Sequence, residues 1–274
     1  MPGVSNNKGV RKLIVGALGV VVVLVLAELG TAAYTEHRIS RALRASAELS
    51  ADPDVVIHGF PFLLQAARGE FHGIEIRADR VDTDIAGRVT IEANLEDVTL
   101  EPEAWYVRRT DALHARELEG RIVMHQIELG EFFDIPDLRI TPLPTGVIDA
   151  FGTATPTTIA RFRPVLLTAS FPDLGISDEV NVEARLRLAG TQLHVDPLRY
   201  YTGRDGSWEN PVPEELHDEV LRSFSITIDV QEVPFGLAPA VAFPQGGRLV
   251  VEGSGENVSL ELVKRNAFGE GGGQ

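Results

Sequence analysis

The sequence predicts an α+β fold that is mostly β: one membrane-length apolar helix at the N-terminus, then a domain of antiparallel strands with few helices. Three observations predict it. Residues 13–34, LIVGALGVVVVLVLAELGTAAY, are apolar except for Glu28 and Thr31. Several later segments alternate strictly between apolar and polar side chains, the signature of a sheet with one face in water. Helical periodicity is confined to a handful of short stretches, so a long sheet with so little helix must curl on itself or wrap around a helix.

A helix over residues 13–34 rises ~33 Å at ~1.5 Å per residue, close to the ~30 Å hydrocarbon core of a bilayer. Lys8, Arg11 and Lys12 precede it, and residues 1–12 hold no Asp or Glu. The positive-inside tendency keeps that end cytoplasmic and sends the rest of the chain to the far side. Two readings of the span stand. It is a retained signal-anchor, or it is a secretory signal with an apolar region at 13–27 and small residues Thr31-Ala32-Ala33 at the cut. Glu28 decides neither, because an acid near the outer end of a span reaches the interface, whereas one at the centre costs ~3 kcal/mol.

The remaining elements follow in order. Residues 35–50 read as an amphipathic helix, with Ile39, Ala42, Leu43 and Leu49 on one stripe and Asp52-Pro53 ending it. A short strand at 55–57 precedes a helix at 62–68. Alternation then marks Ile74, Ile76 and Ala78, and next Val89, Ile91, Ala93 and Leu95. A helix is expected at 126–133. Val180, Val182, Ala184, Leu186 and Leu188 form the cleanest strand, interleaved with Asn181, Glu183, Arg185 and Arg187. Residues 213–222 read as a helix with Pro213 at its start and Leu216, Val220 and Leu221 inward. Phe224, Ile226, Ile228 and Val230 alternate again. The segments 249–252 and 258–262 flank Gly253-Ser254-Gly255 and are expected to pair as a hairpin about those glycines. One extracytoplasmic domain, 35–265, and a Gly-rich disordered tail, 266–274, complete the organisation.

Composition narrows the function. The chain has no Cys, which excludes a lipid-modified cysteine and leaves stability to packing alone. At 44% hydrophobic residues it holds enough for an ample core. Three basic groups and one acid lie before residue 34, so the net charge of −15 leaves about −17 on the exported part. Such a surface repels phosphate backbones, which excludes nucleic acid as a partner. It also opposes broad electrostatic binding of anionic headgroups, so a lipid would be held by its acyl chains. Lys8, Lys12 and Lys264 are the only lysines among 25 basic residues, a bias that fits a GC-rich bacterial source.

Catalytic patterns are missing from the sequence. It contains no G-x-S-x-G, H-E-x-x-H or G-x-x-x-x-G-K-[ST] motif, and its seven His are scattered. His114 and His125 lack a carboxylate motif beside them and read as ordinary strand residues, so no metal site and no cofactor is expected. The acid pairs Asp52/Asp54, Asp82/Asp84 and Asp134/Asp137 fit turn chemistry. The sequon Asn257-Val258-Ser259 falls inside a predicted strand.

Apolar residues are the more unusual material. Three Pro- and Phe-containing knots occur: His58-Gly59-Phe60-Pro61-Phe62-Leu63-Leu64-Gln65, Phe132-Phe133-Asp134-Ile135-Pro136, and Val233-Pro234-Phe235-Gly236-Leu237-Ala238-Pro239. As core corners they fill space where Pro bends the chain. As functional elements they line an apolar cavity left open by the curl of the sheet. Sequence leaves both readings open.

With Gly59, Phe60, Pro61, Phe62, Leu63 and Gln65 spelling G-F-P-F-L-x-Q, followed by Gly69 and the 73–78 strand, the chain resembles the LmeA-like phospholipid-binding family of actinobacterial cell-envelope proteins. The N-terminal span, the 233–237 run and the Gly-bounded 247–260 segment extend the resemblance over most of 35–262. The resemblance implies a tubular lipid-binding-like fold, a strongly curved antiparallel sheet wrapped around a long helix. It implies non-enzymatic binding or transfer of a phospholipid or glycolipid at the outer face of the cytoplasmic membrane, supporting lipomannan-type envelope biogenesis beside envelope glycosyltransferases. Phe60, Pro61, Phe62, Leu63, Leu64, Phe132, Phe133, Phe235 and Leu237 are the expected lipid contacts, and no catalytic residue is carried over. Residues 102–109 and 200–211, which hold Trp105 and Trp208, match no family pattern. Two rivals remain: a hydrolase or transferase on lipid-linked sugars using Asp134/Asp137 or the 205–209 loop, and a structural envelope partner with every knot packed.

Overall fold

The computed structural model describes residues 8–46, 49–84, 86–100, 113–135, 137–143, 163–203, 205–230 and 233–260. Trp105, Pro136 and the 266–274 tail lie outside the described residues.

Helix α1 (Lys8–Ser46) is one continuous rod. The span read at 13–34 and the amphipathic helix read at 35–50 join without a break, since no Pro lies between residues 13 and 46. Its end is closed by the Leu49 N–H, which donates to the Arg44 carbonyl at 3.1 Å. The N-terminal part of α1 is exposed all round, from Leu13 to Leu26, whereas Ala32, Ile39 and Leu43 pack on the domain. Among the described residues this is the one helix long and apolar enough to cross a membrane.

Among the described residues the strands form two antiparallel sheets. The larger has the order β1-β2-β3-β4-β11-β10, with β1 (Asp54–His58), β2 (Glu70–Thr83), β3 (Gly87–Leu100), β4 (Leu113–His125), β10 (Val241–Pro244) and β11 (Arg248–Leu260). The smaller runs in sequence order through β5 (Arg139–Pro142), β6 (Arg163–Phe171), β7 (Ile176–Ala189), β8 (Gln192–Tyr200) and β9 (Ile226–Asp229). The alternation read from sequence is realised: Val180, Val182 and Ala184 are fully buried on one face of β7. Short helices α2 (Phe62–Arg68), α3 (Gln126–Phe132) and α4 (His217–Ser223) lie where the periodicity predicts them. Val220 of α4 is fully buried, and Leu216 and Leu221 pack beside it.

The fold class is α+β, mostly β, with the long apolar helix at the N-terminus. The wrapping has its own form. The smaller sheet meets the larger one at β10 and β11, the 233–239 segment covers the face around Gly120 and Gly253, and α1 lies along the edge strand β1. Leu138, Ile140, Val165, Leu186, Ile226 and Leu249 meet between the sheets around a void of about 10 Å³. That is room for about one water molecule and far too little for an acyl chain. At this place, among the described residues, the expectation of apolar strand faces left open for a hydrocarbon guest is corrected: strands β5 to β9 and β11 close on one another.

The C-terminal hairpin about Gly253-Ser254-Gly255 is also corrected. Strand β11 runs unbroken through these residues and pairs along its length with β4. The hairpin turn lies earlier, where Gln245 and Arg248 exchange backbone hydrogen bonds of 2.8 and 3.1 Å between β10 and β11. The glycines serve close approach instead. A Cβ on Gly253 would stand 2.5 Å from the Ala238 carbonyl oxygen, and one on Gly255 would stand 2.9 Å from the Leu237 side chain. Removing Cβ atoms from mid-strand lets the 233–239 segment lie on the sheet.

A candidate membrane and lipid contact surface

The path of the chain places the first apolar knot. Helix α1 climbs away from its apolar half, and β1 descends beside it. Ser40 donates its hydroxyl to the Pro53 carbonyl at 2.6 Å, the Ile57 N–H donates to Glu36 Oε1 at 2.9 Å, and the Leu63 N–H donates to the Glu28 carboxylate at 3.3 and 3.2 Å from its two oxygens. Residues 53, 57 and 63 thus run down against 40, 36 and 28. The 59–64 turn therefore lies at the end of the domain nearest the apolar half of α1.

The G-F-P-F-L-x-Q segment divides its side chains between two tasks. Phe62 is 6% exposed and packs against Phe71, with ring centroids 6.1 Å apart. Gln65 is buried, and its Oε1 accepts the His72 N–H at 3.0 Å, tying α2 to β2. Gly59, at φ +107°, closes over that amide, where a Cβ would lie 2.7 Å from Gln65 Nε2. Gly69, at φ +69°, ends α2 in the left-handed conformation that glycine accepts without cost. Phe62, Gln65 and the two glycines thus make a rigid base. On it, Phe60 is 77% exposed, Leu63 41% and Leu64 46%, with Pro61 exposed between them.

The other two knots lie elsewhere. Phe132 is exposed and Phe133 half-buried, edge to face at 5.1 Å, and Phe132 lies beside Gly87. Gly87 lies past the far end of β2, whose rise from Gly73 to Thr83 is ~33 Å at ~3.3 Å per residue. The third knot lies at mid-sheet. Leu237 is buried over Gly120, where a Cβ would meet its Cδ1 at 3.1 Å, and Phe235, at φ +66°, is half-buried beside it. The nine expected contact residues thus lie in separate places: Phe60, Pro61, Leu63 and Leu64 form one exposed surface, Phe62 and Leu237 belong to the core, Phe133 and Phe235 pack against it half-buried, and Phe132 is exposed.

Sequence reasoning missed Glu28, Glu36 and Ser40 as a set. With Ala32 they recur every fourth residue, which is one helix face, and that spacing was the available signal. Glu28 is 7% exposed, and its carboxylate caps the first turn of α2, where Pro61 makes no side-chain cap of its own. A carboxylate suits that position because it meets the positive end of the helix dipole and an N–H that the helix leaves unpaired.

The candidate chemical residues are structural. His114 and His125 lie at opposite ends of β4, paired with Thr99 and Arg248 respectively. Asp137 accepts both the N–H and the hydroxyl of Ser170, at 2.9 and 2.6 Å. Asp205 accepts the same two groups of Ser207, which hold its carboxyl below the usual range. Burial and then Asp218 push the Tyr200 phenol up, and its hydroxyl donates to the His217 carbonyl at 2.9 Å, fixing α4 to β8. Trp208 is half-exposed and stands edge to face on Tyr201 at 5.5 Å, an anchor for its own loop. Among the described residues no group of His, Asp and Glu is arranged to hold a metal ion. An open groove of 690 Å³ crosses the polar face of the larger sheet and carries Glu75, Glu96, Glu117, Glu119 and Glu256. Its charge is the wrong sign for a phosphate headgroup.

A family profile described as LmeA-like phospholipid-binding matches residues 26–254, from within α1 to within β11. The chain belongs to the LmeA-like phospholipid-binding family. No curated protein and no solved structure matches it. Membership in this family covers Glu28, the G-F-P-F-L-x-Q segment and the 233–239 run alike, and it is membership in a binding family.

Proposed function

We propose that this member of the family binds a phospholipid or glycolipid at the outer face of the membrane that α1 crosses, without chemistry on it, and presents it to envelope glycosyltransferases in lipomannan-type biogenesis. The family match carries the lipid. Lys8, Arg11 and Lys12 ahead of the apolar stretch support a cytoplasmic N-terminus and an extracytoplasmic domain.

The close packing between the sheets shapes the mode of binding. Full burial of an acyl chain contributes ~0.8 kcal/mol per CH₂, and a void of about 10 Å³ supplies none of it. The acyl chains instead lie along the exposed surface of Phe60, Pro61, Leu63 and Leu64 and the flank of α1, with their other side still in the leaflet. One-sided contact recovers only part of the transfer energy, so the protein holds a lipid in place rather than carrying it away. In this reading Phe62 and Leu237 act from the core.

Native mass spectrometry of the full chain, taken from an actinobacterial host into nanodiscs, tests this. A retained phospholipid or glycolipid is expected, reduced several-fold by Phe60→Asp with thermal stability unchanged. Absence of any specific lipid from the wild-type protein overturns the proposal.

A further inference from the structure

We infer that the 59–64 turn is a finger inserted into the outer leaflet, fixed in depth by Glu28 of the spanning helix. The inference rests on the part of the preceding reading in which α1 is a retained span, and not on the capture of a lipid.

Geometry sets the depth. From Leu13 to Glu28 the helix rises ~22 Å at ~1.5 Å per residue. With Leu13 at the cytoplasmic boundary of a ~30 Å hydrocarbon core, Glu28 lies ~8 Å inside the outer boundary. Leu63 is bonded to Glu28 and shares its level. Phe60, Leu63 and Leu64 are exposed there, beside the equally exposed Leu26 and Leu29 of α1. In water such a continuous apolar surface is unfavourable. In the leaflet the same surface is solvated by acyl chains.

The clasp solves a problem on each side. A carboxylate at that depth needs partners, and a helix whose first turn lies in hydrocarbon needs acceptors for its N–H groups, since no water supplies either. The Leu63 N–H gives Glu28 a partner, and Glu28 gives that N–H its acceptor. Glu28 is 7% exposed because the finger covers it. A chain cut at Thr31-Ala32-Ala33 would lose this carboxylate, so the clasp also gives α1 a reason to be kept.

The absence of cysteine permits a direct test. Single-cysteine variants Phe60→Cys and Leu64→Cys, and a control at Ala51→Cys at the opposite end of β1, would carry an environment-sensitive fluorophore in the full chain. The protein would be reconstituted in phosphatidylethanolamine–phosphatidylglycerol vesicles. Both positions are exposed in the fold, so labelling leaves the core intact. The expected result is blue-shifted emission at 60 and 64, several-fold weaker quenching by aqueous iodide than at 51, and strong quenching by lipid spin-labelled near the carbonyl end of its chain. In a Glu28→Leu background the label at 60 should lose most of that lipid quenching. Equal iodide quenching at 51 and 60 overturns the inference, as does a depth at 60 unmoved by Glu28→Leu. Insertion without a co-purifying lipid would uphold the finger and overturn the proposed function, so the two fail separately.

Discussion

The knots at 59–64 and 233–239 have nearly the same composition, each with Pro, Phe, Gly and Leu, yet one displays its apolar side chains and the other buries them. The difference lies in what stands opposite. The 233–239 segment faces Gly120, Gly253 and Gly255, three bare positions on two adjoining strands that admit Leu237 to the sheet. The 59–64 turn sinks only Phe62, and its remaining side chains face outward beside α1. A knot of Pro and Phe is thus neither core nor contact surface by itself. The complementary vacancy, supplied by Gly253 and Gly255 of β11 and by Gly120 from over a hundred residues away in the chain, assigns it.

Substitutions ranked by expected effect sharpen this contrast. Gly253→Val should be the most damaging, because its Cβ meets a backbone carbonyl that cannot swing aside; a loss of ~3 kcal/mol or more is expected from overpacking. Denaturant unfolding of the detergent-solubilised full chain would measure it, and a neutral outcome would break the assignment of the 233–239 segment to the core. Phe62→Ala should cost ~3–5 kcal/mol, and Leu237→Ala ~2–5 kcal/mol, by the same measurement. Comparable costs would show that a buried residue of the displayed knot and one of the buried knot belong to one core.

Glu28→Leu tests the clasp at smaller scale. It should destabilise the 59–64 turn by ~1.5–3 kcal/mol, the range for a hydrogen bond to a charged group, with little effect on the sheets. Hydrogen exchange should show faster exchange at Leu63 and its neighbours in α2, and unchanged protection in β7. Phe60→Ser should change stability least, within ~0.5 kcal/mol, as expected of an exposed side chain. Its effect should appear in membrane contact instead. A large loss of stability for Phe60→Ser, or none for Phe62→Ala, would invert the division of labour within the G-F-P-F-L-x-Q segment.

Local pattern made much of the fold legible. Alternation over residues 180–188 names the buried face of β7 residue by residue, and the 62–68 helix follows from its periodicity between Pro61 and Gly69. Where local pattern misled, a distant neighbour was responsible. Gly253 and Gly255 carry a turn signature, and they sit in a strand because β4 pairs across them and the 233–239 segment presses on them. Likewise the apolar stripes of the strands announce that they need cover without saying what covers them. Among the described residues the second sheet covers part of them and the 233–239 segment another part.

The sequence by itself determined the membrane-length helix, the antiparallel mostly-β domain, the short helices and the family signature, because hydropathy run length and side-chain periodicity are properties of neighbouring residues. Only the tertiary structure decided that the strands around Leu186 and Leu249 pack closely, that Glu28 caps α2, and which of three like knots is exposed. Those outcomes depend on contacts between segments far apart in the chain, such as Glu28 with Leu63 and Leu237 with Gly120. Burial is a property of pairs of surfaces, and the chain must fold before a surface has a partner.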